Sequence, residues 1–306
     1  MKGVVIRSTG KFSTVRDENG TLHECRLKGR FRTAGLRTTN PVAVGDHVQI
    51  EDDPMGPMIS KILERKNYIV RKSVNLSHEA HVIASNIDQV ILLITLKSPQ
   101  TTPGFVDRLL VTAEAYSIPA ILVFNKIDLY DSDDLEQLNE WERIYKQAGY
   151  SCHRISIEQN LGMDQVKSIM QGKVSMITGH SGAGKSSLVN RLQPGLDLRT
   201  SEISDYHQKG LHTTTFAEMH ELDFGGSIID TPGIKGFGLV DIPKEELHHY
   251  FPEFFELLPD CKFHNCLHLN EPGCAVLAAL ERGEISLSRY KSYYAIYLGD
   301  DEKNYR

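Results

Sequence analysis

The chain has 306 residues, 40% apolar and 24% charged, with a net charge of −6 and five cysteines. That length leaves room for more than one compact domain, the cysteine content is too low for a disulfide scaffold, and the acidic balance excludes wholesale coating of nucleic acid while leaving a local basic face open. The opening MKGVVIRSTG turns polar after three apolar residues, and the longest apolar runs, VILLITL from Val90 and IPAILVF from Ile118, reach about a third of the ~20 residues of a bilayer span, so a cytoplasmic chain with no membrane segment is expected.

Residues 1–70 alternate short apolar clusters with Gly, Asn and Pro: GVVI, FSTV, a DENG turn, HECRL, and VAVGDHVQI closing at DDPMGP. Short strands joined by turns predict a small β-barrel. Within it, RLKGRFRTAGLR sets Arg26, Lys28, Arg30, Arg32 and Arg37 around Phe31 with no acidic neighbour. This is the pattern of a face that tracks phosphates and stacks a base, with a solvated strand face as the alternative. Lys61, Arg65, Lys66, Arg71 and Lys72 are candidates to extend it.

From about Asn75 buried runs alternate with helical periodicity, which predicts a doubly wound α/β domain over residues 71–236. VILLITL leads to a helix around PGFVDRLLVTAEAYS and then to IPAILVF, which ends in Asn125, Lys126, Ile127 and Asp128. The carboxylate of N-K-x-D can accept from both N1–H and the 2-amino group of guanine; adenine lacks that donor pair and would strand the charge. RISIEQNLG is a candidate to offer a backbone contact to the guanine carbonyl near Ser156 and Ile157, with a plain strand end as the alternative. The helix MDQVKSIM carries Met163, Val166, Ile169 and Met170 on one face and is followed by Gly172.

VSMIT then runs into G-x-x-x-x-G-K-S: Gly179, His180, Ser181, Gly182, Ala183, Gly184, Lys185 and Ser186, followed by Ser187 and a helix with Leu188, Val189 and Leu192 on one face. The glycines let backbone wrap closely around phosphates, and amides at the helix start point at them with the positive end of the helix dipole. Lys185 is placed to neutralise β/γ oxygens and Ser186 to ligate Mg2+. In QKGLHTTTFAEMHEL, one of Thr213 to Thr215, first Thr214, is the candidate to complete the Mg2+ shell while the γ-phosphate is present, a nucleotide switch; a threonine-rich strand is the alternative. SIIDTPG ends in Asp230, able to hold Mg2+ through water, and Gly233, whose amide faces the γ-phosphate. Ile234 follows, an apolar side chain unable to orient water, so His212 is the candidate for that role beside a purely structural one. The base-reading half thus precedes the phosphate half. A circular permutation explains this order if MDQVKSIM joins what would otherwise be the ends of the chain.

Residues 237–306 predict a small, mostly helical unit from PKEELHHYFPEFFELL, AVLAALERGEI and YKSYYAIYLGDDEKNYR. Between them Cys261, Cys266, His268 and Cys274 follow C-x4-C-x-H-x5-C, the donor set of a closed Zn2+ site. His264 is a competing ligand, unligated core thiols are the alternative, and Cys25 and Cys152 read as small buried apolar residues.

NKID, GHSGAGKSS, GLHTTT, DTPG and the Cys/Cys/His/Cys spacing together resemble, over the whole chain, the circularly permuted GTPases of small ribosomal subunit biogenesis, the RsgA (YjeQ/YloQ) family. The resemblance implies a multidomain α/β protein: an amino-terminal OB-fold barrel that binds RNA, a central permuted P-loop GTPase domain and a carboxy-terminal zinc-binding domain. With the motifs, GTP or GDP, Mg2+ and one Zn2+ are the expected cofactors and Lys185, Thr214 and His212 the expected catalytic residues. The resemblance further implies binding to the 30S subunit and its 16S rRNA and hydrolysis stimulated by that subunit; a monomer whose slow intrinsic turnover drives release is the expectation built on it.

Overall fold

The computed structural model describes residues 1–9, 12–27, 41–72, 80–196, 217–230 and 242–299. Two compact units emerge. Met1–Val90, Asp164–Ile177 and Leu192–Val240 form the first, and Ile91–Met163, Thr178–Arg191 and Asp241–Arg306 the second.

The first unit opens with β1 (Lys2–Ser8), β2 (Ser13–Asp17), β3 (Leu22–Leu27), β4 (His47–Glu51) and β5 (Met58–Ile62). Antiparallel pairing of β1 with β2 and β2 with β3, parallel pairing of β3 with β5, and antiparallel pairing of β5 with β4 and β4 with β1 close them into a barrel. The expected OB-like architecture is present. Alternation with a period of two turns one side of each strand inward, and Val5, Val15, Cys25, Val48, Ile50 and Ile59 fill the interior at 2% exposure or less. Asp46 is fully buried, and Arg65 grips it with Nε at 2.6 Å and Nη2 at 2.7 Å while donating to the Pro41 carbonyl at 2.8 Å. This corrects the expectation for Arg65: its guanidinium neutralises an internal carboxylate and does not extend a basic face. Lys66 pairs with Asp88 and stays about half exposed, so its place on such a face is not overturned. Exposed Arg26 lies over the Phe12 ring at 5.7 Å; Lys28, Arg30, Phe31, Arg32 and Arg37 fall outside the described residues.

β6 (Tyr68–Lys72) and β7 (Ala80–Ser85) form a separate antiparallel ladder, a long-range pairing that the apolar runs alone do not announce. The remaining strands are β8 (Gln89–Ile94), β9 (Ala120–Phe124), β10 (Ser151–Arg154), β11 (Val174–Gly179), β12 (Glu218–Glu221) and β13 (Ser227–Asp230). The α-helices are α1 (Pro103–Ala115), α2 (Ser132–Gln147), α3 (Met163–Met170), α4 (Lys185–Leu192), α5 (Pro252–Leu257), α6 (Ala275–Glu281) and α7 (Leu287–Leu298). In the first unit β11 runs parallel to β13, β13 pairs antiparallel with β12, and Glu218 of β12 is the partner of Arg7, so this ladder continues onto the barrel.

In the second unit β9 lies between β8 and β10 and runs parallel to β10. Every residue of β8 is buried, as in a strand covered on both faces. α1 starts where the Thr102 side chain accepts from the Phe105 amide and Pro103 occupies the first turn. α2 starts at a reciprocal capping box between Asp131 and Asp134. α7 packs on α1. Between them Arg289 donates to Asp107 at 2.7 Å, with side-chain exposures of only 1% and 0%, and binds Glu253 at 2.7 and 3.0 Å. Among the described residues no helix is long and apolar enough to cross a membrane.

Candidate functional site

β11 ends at Gly179 and α4 starts at Lys185, so His180 to Gly184 form the strand-to-helix loop whose following amides can meet an anion. Glycine is required by the close approach of neighbours. A Cβ on Gly179 would stand 2.3 Å from the Leu93 carbonyl oxygen, and one on Gly184, at φ +104°, would stand 2.7 Å from Asn125 Nδ2. Within the loop Ala183 is fully buried, Ser181 and Gly182 are exposed, and on the first turn of α4 Ser186 is half-buried and Ser187 exposed. Lys185 Nζ lies across the loop, donating to the carbonyls of Gly179 at 2.9 Å and His180 at 2.7 Å. Burial pulls its ammonium below the usual lysine range, so a phosphate placed there compensates a partly desolvated charge. The His180 ring stacks on Phe105 with centroids 3.7 Å apart and planes 17° apart. Burial, reinforced by Lys185, lowers the histidine pKa and leaves a neutral ring at pH 7.

β9 delivers Asn125 against this loop. Its amide nitrogen donates to Ile94 O at 2.8 Å, its Nδ2 donates to Ala183 O at 2.9 Å, and its Oδ1 accepts from Ile157 N at 3.3 Å. Lys126, at φ +66°, donates through Nζ to Gly182 O at 2.9 Å and to Ser98 O. Two residues of N-K-x-D therefore touch the phosphate loop directly. These bonds join the motif to a loop that follows it by more than fifty residues along the chain. Half-buried Ile127 and Asp128 follow in a single 3-10 turn, and Asp128 Oδ1 is buried with no hydrogen-bond partner among the described residues. An unsatisfied buried carboxylate oxygen costs free energy unless a donor reaches it. Of the residues expected near a guanine carbonyl, Ser156 is fully buried, its Oγ accepting from Gln159 N at 3.0 Å, and the Ile157 amide is the one bonded to Asn125.

Asp230 stands half-buried at the end of β13 in the first unit. His212, Thr213, Thr214, Thr215, Gly233 and Ile234 lie outside the described residues.

A second cluster gathers Cys261, Cys266, His268 and Cys274, whose ligand atoms all lie within 4.8 Å of one another. His268 Nδ1 is 3.3 Å from Cys274 Sγ and 3.7 Å from Cys261 Sγ. Tetrahedral bonds of ~2.3 Å to sulfur and ~2.0 Å to nitrogen put neighbouring ligand atoms roughly 3.5–3.8 Å apart, so the cluster has the spacing of a metal site. The amides of Ala275 and Leu277 each donate to a sulfur, Cys261 and Cys274 respectively, at 3.4 Å. His264 is not among the four residues of the cluster.

Two contributors lie outside the sequence motifs. The Tyr130 hydroxyl donates to the Asn125 carbonyl at 2.8 Å, and Phe105 supplies the ring on which His180 stacks. Tyr130 follows NKIDL directly, so its adjacency was a usable signal; Phe105 occupies an ordinary helical position and carried none.

Comparison with known proteins agrees with this geometry. Residues 62–240 match the model of the RsgA GTPase family and residues 2–56 that of the RsgA N-terminal domain. The small ribosomal subunit biogenesis GTPase RsgA of Christiangramia forsetii is 56% identical over 311 residues, covering 100% of this chain and 98% of its own. Its namesake from Bacteroides fragilis is 50% identical, covering 100% and 99%. Among solved structures, YjeQ from Thermotoga maritima is similar at a TM-score of 0.81 and 37% identity, covering 97% of each chain. YloQ, described as a circularly permuted GTPase, gives 0.77 and 28%, covering 99% of this chain and 95% of its own.

Proposed function

The chain belongs to the RsgA GTPase family, and from that membership we propose that it is a GTP hydrolase serving small ribosomal subunit biogenesis. The observation that carries the reading is the direct hydrogen bonding of Asn125 and Lys126 to the carbonyls of Ala183 and Gly182, which joins a base-reading turn to a phosphate loop. In this reading Asn125, Lys126, Ile127, Asp128 and Ser156 hold the guanine, and Gly179 to Ser187 hold the phosphates. Ser186 and Thr214 would ligate Mg2+, Asp230 would hold it through water, and the Gly233 amide would serve the γ-phosphate. When bound, Mg2+ would supply positive charge to the triphosphate. Lys185 adds a fixed ammonium where charge develops on those oxygens, and His212 orients the attacking water in place of apolar Ile234. Cys261, Cys266, His268 and Cys274 hold one Zn2+ in a structural role.

Residues 1–70 act as the RNA-binding barrel, 71–236 as the GTPase domain and 237–306 as the zinc-binding domain. The monomeric protein binds the 30S subunit and its 16S rRNA in the cytoplasm. GTP binding acts through the switch residues Thr213 to Thr215 and Gly233, and hydrolysis releases the subunit. The test is GTP turnover by purified protein with and without purified small subunits. Because no glutamine positions water, turnover alone is expected to be slow and to rise by at least about tenfold with the subunit. Equal rates in the two conditions would remove the ribosomal part of the reading, and GTP binding without turnover in either would leave a binding module.

A further inference from the structure

Lys126 is a non-glycine residue in left-handed backbone, at φ +66°. Such a conformation costs an L-residue free energy and persists where neighbours over-determine it. The peptide plane between Asn125 and Lys126 is rigid, so turning it changes ψ of Asn125 and φ of Lys126 together. Its amide hydrogen and carbonyl oxygen are the handles by which that plane can be held.

Tyr130 holds the carbonyl. Its hydroxyl donates to Asn125 O at 2.8 Å and accepts from the Leu96 amide at 2.8 Å. Leu96 lies two residues past β8 and is 4% exposed, so the phenol is anchored to a buried strand end. Its own amide donates back to Ile127 O at 3.3 Å. Burial raises the phenol pKa, so the hydroxyl keeps the proton it donates at neutral pH. The hydroxyl therefore bridges β8 to one end of the turn, while the Tyr130 backbone terminates the other end. Asp128, with its unpartnered buried oxygen, sits between them.

We propose that Tyr130 is a positioning residue for base selection: by pinning the Asn125 carbonyl it holds Lys126 in left-handed backbone and aims the Asp128 carboxylate at the nucleobase. The proposal rests on the reading of Asn125 to Asp128 as the base-reading turn. No other group among the described hydrogen bonds grips that carbonyl. Removing the hydroxyl leaves the peptide free to turn and the Leu96 amide unpaired.

The experiment compares equilibrium affinities for GDP and inosine diphosphate, which keeps N1–H but lacks the 2-amino group, so their ratio reports the second hydrogen bond to Asp128. Loss of one buried hydrogen bond corresponds to roughly a three- to tenfold effect. Tyr130→Phe is expected to weaken GDP by about that factor and inosine diphosphate far less, narrowing the ratio at least about threefold. A hydroxyl that only stabilises the fold would weaken both ligands alike; an unchanged ratio in a folded Tyr130→Phe protein overturns the proposal. Should the Phe variant not fold, Tyr130→Met, which keeps an apolar filler without the hydroxyl, is read by the same ratio. Asp128→Asn separates the two levels. If it collapses the ratio while Tyr130→Phe does not, only the role of Tyr130 fails; if it leaves the ratio intact, the base-reading assignment fails and takes this proposal with it.

Discussion

Gly184 sets how closely the glycine-lysine loop and the N-K-x-D turn approach each other. An added methyl group would meet Asn125 Nδ2 at 2.7 Å and Ile157 Cδ1 at 3.2 Å, at a φ of +104° that alanine adopts only under strain. Asn125 cannot retreat cheaply, because it is 2% exposed and both ends of its amide are bonded. Gly184→Ala is therefore expected to cost about 1–3 kcal/mol of strain where the two loops meet, seen as at least about a fivefold loss of GDP affinity in a fluorescence titration. Affinity equal to that of the unmodified protein would show that the two loops need not abut for binding. At this scale the sequence was informative wherever chemistry requires neighbours along the chain: Gly179, Gly184 and Lys185 are spaced as a phosphate loop demands. Nothing adjacent distinguishes Arg65 from Arg26, although one neutralises a buried carboxylate and the other lies exposed over a ring.

α1 links two parts of the second unit. Its first turn presents Phe105 to His180 of the phosphate loop, and its buried face presents Asp107 to Arg289 of α7. Removing one partner of a buried ion pair leaves an uncompensated charge, at a cost of about 3–5 kcal/mol. Arg289→Met is expected to lower stability by about that amount in a denaturant titration, and Asp107→Leu in the same chain to restore part of it. A single variant as stable as the parent would show that water reaches Asp107. The helices themselves were legible from their caps and apolar spacing, as at Thr102 and Asp131. Their pairing was not, because Arg289 and exposed Lys291 look alike within LSRYKSYY and only one meets a carboxylate far away in sequence.

Across the molecule, the Cys/His cluster is tied to α7 by Tyr290, which donates to His268 O at 2.9 Å, and by Tyr293, which donates to Leu267 O at 2.6 Å. α7 in turn packs on α1, within the same compact unit as the phosphate loop. Removing the metal with a chelator is therefore expected to lower the melting temperature of that unit as a whole in calorimetry, with a parallel loss of GDP affinity. A separate low-temperature transition with GDP binding intact would show that the metal loop folds independently. What the sequence by itself determined was every feature that depends on local spacing: the alternating strands of the barrel, the glycine-lysine loop, N-K-x-D and the four candidate metal ligands. It also exposed their reversed order, since order is a property of the chain. Tertiary structure alone decided that N-K-x-D closes on the phosphate loop through Asn125 and Lys126, that Tyr130 braces the turn, and which arginines are buried. Those outcomes depend on hydrogen bonds and ion pairs between residues distant along the chain or outside any motif, and such pairings leave no periodic mark in the sequence.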